Sequence, residues 1–170
     1  FDVVRCMDLK SGKDKWATKY ENEGRFSHNG SRSIPAVDDK YVFTMGCMGD
    51  VVCVDRKLGK IIWQKNLLKD WKSKPENWGF GQSPILYKDT VIFAPLSSAA
   101  GVTALSKATG KEVWKTADIG KKDGYSSPFL TKLLGETMLI QQSSDTVSGL
   151  NPSTGKVLWS YKGYKVSWAI

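Results

Sequence analysis

The chain has no long apolar run and few of the residue types that carry metal or redox chemistry. No apolar stretch approaches about 18 residues, which excludes a membrane-spanning helix within this sequence. The helical period of apolar residues nowhere persists for three turns, so we predict no substantial helix. There are one histidine and three cysteines, and no two cysteines are adjacent. β-Structure is therefore the expected fold, and no metal-ligand spacing is visible.

The sequence repeats one motif four times, in which a turn residue and a short spacer precede Gly-Lys-x-x-Trp. Glycine always stands four residues before tryptophan, and lysine always three. The four pairs are Gly12 and Trp16, Gly59 and Trp63, Gly110 and Trp114, and Gly155 and Trp159. The glycines are 47, 51 and 45 residues apart, and a regular spacing of this length indicates an array of supersecondary units.

A second repeat lies between these motifs and supplies the other strands of each unit. Pro35, Pro84 and Pro128 each open a short apolar run, and two further runs follow before the next Gly-Lys turn. Four short runs rich in Val, Ile, Tyr and Phe, separated by turn residues, predict four antiparallel strands. We expect each motif glycine to adopt positive φ in a hairpin, and each motif tryptophan to fill the gap between neighbouring sheets.

Four-stranded units of roughly 40–50 residues are the blades of a β-propeller. The pattern of a turn residue followed by Thr/Ser-Gly-Lys-x-x-Trp, joined to Ser-Pro strand openings, resembles the PQQ-like repeat family over essentially the whole chain. That family includes quinoprotein alcohol dehydrogenases and BamB-type outer-membrane assembly lipoproteins. The resemblance implies an all-β propeller of four-stranded antiparallel blades. It implies no particular activity, because the repeat is the scaffold and not the site.

The repeats predict about three and a half blades. They comprise a half-blade at 1–20, whole blades at about 33–66, 82–118 and 126–163, and the start of a further blade at 166–170. Seven or eight blades, usual in the family, would need roughly 330–380 residues. We therefore expect a segment of a longer propeller, the alternative being a small ring or an assembly that completes itself. Uncovered blade faces predict self-association of the isolated segment.

The net charge of +8 does not by itself indicate a nucleic-acid partner. The basic residues recur with the repeat, as Lys13, Lys60, Lys111 and Lys156 show. Charge that recurs with a scaffold is typical of a solvated face, and no base-reading module is present, so we predict no nucleic-acid binding. Weak attraction to anionic surfaces or acidic partners is the favoured interpretation.

The cysteines are expected to be structural. Cys6 and Cys53 both stand ten residues before a motif tryptophan, where the other repeats have Ala104 and Gly149. This equivalence predicts small buried core residues, too far apart to form a disulfide. Cys47 lies in a hairpin, either as a structural residue or as an exposed reactive thiol.

The resemblance also raises an enzyme hypothesis. Quinoprotein dehydrogenases hold their quinone with a bound calcium, an acidic base and, characteristically, a disulfide between adjacent cysteines, a pair that this chain does not have. His28 is interpreted as a surface residue, and the acidic candidates Asp50, Asp123 and Asp145 lie in ordinary propeller turns. We therefore assign no catalytic, cofactor-binding or metal-binding residue, and PQQ and calcium belong only to the dehydrogenase alternative.

One connector differs from the others. Residues 67–82 lengthen one period and carry two tryptophans and a phenylalanine outside the repeat. Either these side chains fold back over the blade edge, or they form an aromatic and basic contact surface for a protein, glycan or cofactor. Together with neighbouring connectors the candidate binding surface is Phe26, His28, Trp71, Trp78, Phe80 and Tyr125.

The predicted function is a non-catalytic scaffold or binding module of an exported bacterial protein, periplasmic or otherwise in the cell envelope. Its partner would be another protein or the remainder of a larger propeller. The alternative is a fragment of a PQQ-dependent alcohol dehydrogenase. For stability, Trp63→Ala and Trp114→Ala should each cost on the order of 3–5 kcal/mol, whereas Trp71→Ala in an exposed connector should cost under about 1 kcal/mol.

Overall fold

A computed structural model of the chain describes residues 1–22, 24, 30–75, 77–117, 119–120 and 125–163. Within these residues there are four antiparallel sheets and one five-residue helix. The strands of each sheet are hydrogen-bonded in chain order, so every sheet is a simple meander. The predicted all-β fold of four-stranded antiparallel units is confirmed, and the predicted blade start at 166–170 lies outside the described residues.

The first sheet has two strands and the other three have four. The first consists of β1 (Asp2–Met7) and β2 (Asp14–Tyr20). The second consists of β3 (Ala36–Val37), β4 (Tyr41–Met45), β5 (Asp50–Asp55) and β6 (Ile61–Asn66). The third consists of β7 (Ile85–Tyr87), β8 (Thr90–Phe93), β9 (Thr103–Ser106) and β10 (Glu112–Lys115). The fourth consists of β11 (Phe129–Leu133), β12 (Glu136–Gln142), β13 (Thr146–Leu150) and β14 (Val157–Lys162).

The helix, α1 (Leu67–Trp71), directly follows β6. Asn66 caps it, because its side chain accepts hydrogen bonds from the N–H groups of Leu68 and Lys69. Lys72 ends it in the left-handed conformation, with φ of 53°. No helix among the described residues is long and apolar enough to cross a membrane.

The Gly-Lys turns have the predicted geometry. The motif glycines have positive φ, between 67° and 72°. In each turn the glycine N–H donates to the carbonyl of the residue that opens the turn, at 2.9 Å in all four copies. Asp8, Asp55 and Asn151 also accept a hydrogen bond on their side chain from the backbone N–H two residues on, which holds the turn from inside.

Three of the four motif glycines lie beneath the tryptophan of the preceding sheet. A Cβ at Gly59 would come within 2.9 Å of the Trp16 ring, and one at Gly110 within 2.7 Å of the Trp63 ring. Gly155 lies against Trp114 in the same way. Trp63 and Trp114 are accordingly buried, as predicted. The tryptophan of one unit and the glycine of the next thus form a joint that occurs three times.

The residue opposite each tryptophan in its own sheet is small. The cross-strand partners of Trp16, Trp63, Trp114 and Trp159 are Cys6, Cys53, Ala104 and Gly149. Cys53 is fully buried, as predicted, whereas Cys6 is only half-buried. The difference arises because no further strand of the described residues pairs with β1.

Apolar clusters lie between successive sheets. The cluster between the first and second sheets comprises Val4, Tyr20, Val42, Val52 and Val54. The cluster between the second and third sheets includes Phe43, Val51, Trp63, Trp71, Phe80 and Phe93. The cluster between the third and fourth sheets includes Ile92, Val102, Trp114, Leu139 and Leu150. The core is therefore made of sheet-to-sheet interfaces, as stacking of blades requires.

Candidate functional site

The candidate binding surface lies at one end of the sheets, which we call the connector face. It carries the connectors between successive sheets and the hairpins between second and third strands, because an antiparallel meander brings both to the same end. The predicted members Phe26 and His28 lie outside the described residues. The other four predicted residues divide into two buried and two accessible side chains.

Trp71 and Phe80 belong to the core, not to a contact surface. Trp71 is 5% exposed, and its indole N–H donates to Glu112 Oε2 at 3.1 Å. Phe80 is 1% exposed, and its backbone N–H donates to the Cys47 carbonyl at 2.8 Å. This corrects their assignment to the binding surface: α1 turns the connector back over the second and third sheets, where both rings fill space between blades.

Trp78 and Tyr125 form an accessible aromatic pair. Their ring centroids are 6.0 Å apart with planes inclined by 39°, and the Trp78 backbone N–H donates to the Tyr125 hydroxyl at 3.1 Å. Trp78 is 43% exposed and Tyr125 is half-buried. The pair joins two successive connectors.

Gly81 lies between Tyr125 and the exposed Arg32. A Cβ at Gly81 would be 3.3 Å from Tyr125 Cδ1 and 4.0 Å from Arg32 Cβ. A side chain at 81 would therefore crowd Tyr125 and be in ordinary contact with Arg32. We call Arg32, Trp78 and Tyr125 the aromatic patch.

The Ser-Pro strand openings tie the three four-stranded sheets together near this patch. The Ile34 N–H donates to Ser83 Oγ at 2.9 Å, and the Ser83 N–H donates to Ser127 Oγ at 2.8 Å. Two of the three residues that precede a strand-opening proline thus donate to a serine that precedes the next sheet. Sequence reasoning noticed the Ser-Pro openings but missed this link, for which the repeated serine was the available signal.

A second polar group, which sequence reasoning passed over, lies between the first and second sheets. We call Asp2, Tyr20, Thr44 and Asp50 the acidic junction. Burial raises the pKa of the Tyr20 phenol, and the nearby carboxylates of Asp2 and Asp50 raise it further. Burial likewise raises the pKa of Asp50, with hydrogen bonding from Asn66 offsetting part of the effect. The sequence carried no signal that these residues meet.

The three cysteines are free thiols. Burial raises the pKa of Cys47, and burial raises the pKa of Cys53 to about 12. Cys47 is buried beneath its hairpin, which favours the structural interpretation over a reactive thiol.

The acidic candidates also differ from one another. Asp145 accepts hydrogen bonds from the hydroxyls of Ser143 and Thr146, whereas Asp50 is buried and Asp123 lies outside the described residues. Among the described residues, no three His, Cys, Asp or Glu side chains cluster as metal ligands. We assign no described residue to a quinone or to the calcium that accompanies it.

Comparison with known proteins finds relatives among quinoprotein dehydrogenases and BamB. It is 24% identical to the quinoprotein alcohol dehydrogenase PedH of Pseudomonas putida over 164 residues, which are 93% of this chain and 27% of that protein. Among solved structures it is similar to BamB from Moraxella catarrhalis, with a TM-score of 0.62, 19% identity, and coverage of 96% of this chain and 47% of that one.

A europium-containing methanol dehydrogenase gives a TM-score of 0.67 at 16% identity, covering 96% of this chain and 38% of that one. The chain spans about a quarter of the length of the curated relatives that it matches. The family model described as outer membrane protein assembly factor BamB matches residues 1–165. The chain therefore belongs to this family of PQQ-like β-propellers.

Proposed function

We propose that the chain is a non-catalytic binding module of a cell-envelope protein, and that it recognises a partner protein through the aromatic patch. The observation that carries the proposal is the Trp78–Tyr125 pair, in which a 43% exposed indole contacts the Tyr125 ring and the Trp78 backbone N–H donates to the Tyr125 hydroxyl. A large aromatic side chain held in place on a rigid scaffold loses little conformational freedom on binding, which favours its use as an anchor.

The surroundings of the pair suit a protein partner. Arg32 is exposed beside Gly81 and supplies a planar cation that can bind carboxylates in a bidentate manner. The Ser83 and Ser127 links hold the three sheets in register below the patch. Binding residues are typically carried on connectors that a rigid scaffold positions. We infer a partner segment with apolar and acidic side chains.

The family supports the same proposal. Its matching model is described as an outer membrane protein assembly factor, and a solved BamB shares the fold. By analogy, the partner would be an envelope protein, and the protein would act in the periplasm or at the cell envelope.

The test is a quantitative pull-down of envelope proteins with the purified chain, followed by binding measurements on the proteins retained. Trp78→Ala should lower the affinity for a true partner at least tenfold, and Arg32→Ala should lower it less. Leu134→Ala is the matched control, since Leu134 is an exposed apolar residue in a turn at the opposite end of the sheets. Equal loss in Leu134→Ala and Trp78→Ala would refute the proposal.

The alternative, a fragment of a quinone-dependent dehydrogenase, is favoured by the curated relatives, which are quinoprotein dehydrogenases. The chain is titrated with the quinone and calcium while tryptophan fluorescence is followed, with a calcium-only titration as baseline. We expect no saturable quenching at micromolar quinone. A saturable response that Trp78→Ala abolishes would replace the binding-module proposal with the dehydrogenase one.

A further inference from the structure

The interface between the first and second sheets ends in polar side chains at the connector face. Asp2 shares a strand face with Val4, and Asp50 shares one with Val52 and Val54, so both carboxylates point into the interface that these valines fill. The interface between the second and third sheets is different, because Leu67, Trp71 and Phe80 occupy its connector end. At the connector end, the first interface therefore holds two carboxylates where the second interface holds apolar side chains.

Both carboxylates of this acidic junction have an unused oxygen. Asp50 is 5% exposed, and its Oδ1 accepts a hydrogen bond from Asn66 Nδ2 at 2.9 Å. Its Oδ2 is buried and has no hydrogen-bond partner among the described residues, and the same holds for Asp2 Oδ2. A buried carboxylate oxygen without a partner is costly, so this arrangement needs a compensating positive charge or a proton.

Gly46 contacts both the Asp2 side chain and the Asp50 backbone. A Cβ at Gly46 would be 2.6 Å from Asp2 Oδ2 and 3.5 Å from the Tyr20 hydroxyl, while the Gly46 N–H donates to the Asp50 carbonyl at 2.8 Å. The charge of Asp2 also contributes to the raised pKa values of Asp50 and Tyr20. Burial outweighs the hydrogen bonds from Asn66 and Gln64 and the charge of Lys69, which lower the pKa of Asp50.

Solvent space reaches the junction. A cavity of about 310 Å³ is lined by Asp2, Tyr20 and Thr44, and also by Ser33 and by Arg5, whose guanidinium is paired with Asp14. The Ser33 hydroxyl is likewise buried without a hydrogen-bond partner. Two of the three unused oxygen atoms thus belong to residues that line this cavity, Asp2 and Ser33, where an ion could keep part of its water shell.

We propose that Asp2 and Asp50 together bind a divalent cation with the ligand preference of calcium, and that this ion joins the first sheet to the second. Calcium takes six to eight oxygen ligands in flexible geometry, including carboxylates, neutral oxygens and waters. The two carboxylates supply the charge, the neighbouring hydroxyls and cavity waters complete the shell, and Gly46 leaves the space that a side chain would fill.

The test is thermal unfolding of the 170-residue chain at neutral pH, with and without calcium. At a calcium concentration about one hundred times the dissociation constant, we expect the Tm to rise by roughly 5–10 °C. Asp50→Asn keeps the size of the side chain and should abolish the rise. Asp39→Asn is the matched control, because Asp39 is a fully exposed carboxylate at the opposite end of the second sheet, and it should keep the rise.

Terbium luminescence gives a second readout that does not depend on unfolding. Terbium bound at the acidic junction should be sensitised by the adjacent Tyr20 and displaced by calcium, and Asp50→Asn should remove the signal. A Tm unaffected by calcium but raised on acidification towards pH 4.5 would show that the carboxyls share a proton, and would overturn the proposal. Equal loss of the calcium effect in Asp39→Asn would overturn it as non-specific. Neither readout involves the aromatic patch, so the result is independent of the proposed protein binding.

Discussion

At the scale of single residues, the joint between blades depends on the absence of one side chain. Gly59, Gly110 and Gly155 each lie under the tryptophan of the preceding sheet, while Gly12 has the same positive φ with nothing within 4 Å. A glycine can be required for its positive φ or for close packing. Gly12 has only the first requirement, whereas the other three have both, so substitutions at the two kinds of position can measure the free-energy cost of each.

We predict that Gly110→Ala destabilises the chain more than Gly12→Ala. Both substitutions place a Cβ at nearly the same φ, 67° and 68°, so both pay about 1–2 kcal/mol for the left-handed conformation. Gly110→Ala also drives the Cβ into the Trp63 ring, which should add about 1–3 kcal/mol. Urea unfolding of both variants checks this, and equal losses would contradict a packing role for Gly110.

The indole N–H groups of the motif tryptophans are not equivalent. Trp16 and Trp63 donate to the carbonyls of Arg56 and Lys107 in the next blade, at 2.9 and 2.8 Å. Trp114 Nε1 is buried without a hydrogen-bond partner among the described residues. In the blade that follows Trp114, the position equivalent to Arg56 and Lys107 is Pro152. The N–H groups of Arg56 and Lys107 donate to carbonyls in the first hairpin of their own blade, but proline has no N–H and cannot make this bond. We attribute the missing acceptor for Trp114 to this difference.

We therefore predict that Trp63→Phe costs about 1 kcal/mol more than Trp114→Phe. Both variants lose the same ring volume between sheets, but only Trp63→Phe breaks a hydrogen bond, which leaves the Lys107 carbonyl with the weak thiol donor of Cys53. Guanidinium unfolding curves fitted with a common slope measure the difference. An equal or larger loss in Trp114→Phe would show that the hydrogen bond contributes nothing.

At the scale of elements, the connector after β6 shows how a short cap redirects a chain. Asn66 starts α1, and the helix buries Leu67 and Trp71. Ser97 Oγ donates to the Trp71 carbonyl at 2.5 Å, which fastens the helix to the loop after β8. The same connector then emerges at the surface with Trp78. One connector thus supplies both core and contact surface.

The expectation that Trp71→Ala would be mild rested on an exposed connector, and the burial of Trp71 reverses it. We now predict a loss of about 3–5 kcal/mol for Trp71→Ala, as for other large aromatic truncations in a core. Trp78→Ala should cost under about 1 kcal/mol, because its ring is 43% exposed. Thermal unfolding of the two variants decides. Similar small losses in both would mean that Trp71 adds little to the core.

At the scale of the whole molecule, an ion pair at the end opposite the connector face also joins two blades. Lys107 Nζ lies 3.0 Å from Asp38 Oδ2, between the second and third sheets, and both side chains are largely covered. Burial alone would raise the pKa of Asp38. Hydrogen bonds from the Lys40 and Tyr41 N–H groups and the charge of Lys107 outweigh it, so the pKa is lowered.

A lowered folded-state pKa means that Asp38 stabilises the fold above its usual pKa of about 3.8 and that this contribution is lost as the pH falls through its folded value. Asp38→Asn keeps the oxygen that the two N–H groups use and removes only the charge. We predict that this variant is less stable than the wild type at pH 6–7 and that the difference disappears below about pH 3. Unfolding curves across this range check it. Asp39→Asn, exposed and 3.7 Å from Arg56, should show little difference at any pH.

The fourth sheet leaves large apolar side chains uncovered in the described residues. Phe129, Trp159 and Tyr161 are exposed, Trp159 by 38%, whereas Trp63 and Trp114 are buried by a following blade. Self-association of the 170-residue chain remains a prediction. Light scattering should show a mass that rises with concentration, and Trp159→Lys should reduce the rise. A concentration-independent monomer would contradict it.

Much of the fold was predictable because its information is local and repeated. The spacing of Gly-Lys-x-x-Trp determined the unit, the positive φ of Gly12, Gly59, Gly110 and Gly155, and the burial of Trp63 and Trp114. Each of these follows from a turn of a few residues or from a side chain too large to remain outside a stacked array. The same reasoning indicated the family over nearly the whole chain.

Only the tertiary structure decided which side chains meet across sheets. Trp71 and Trp78 stand in one connector with similar neighbours, yet one is buried and the other exposed, because α1 changes the direction of the chain between them. Asp2 and Asp50 come together with unused oxygens because successive sheets pack face to face. A sequence repeat specifies the blade, but these contacts depend on how each blade lies against the next, and residues far apart in the chain determine that packing.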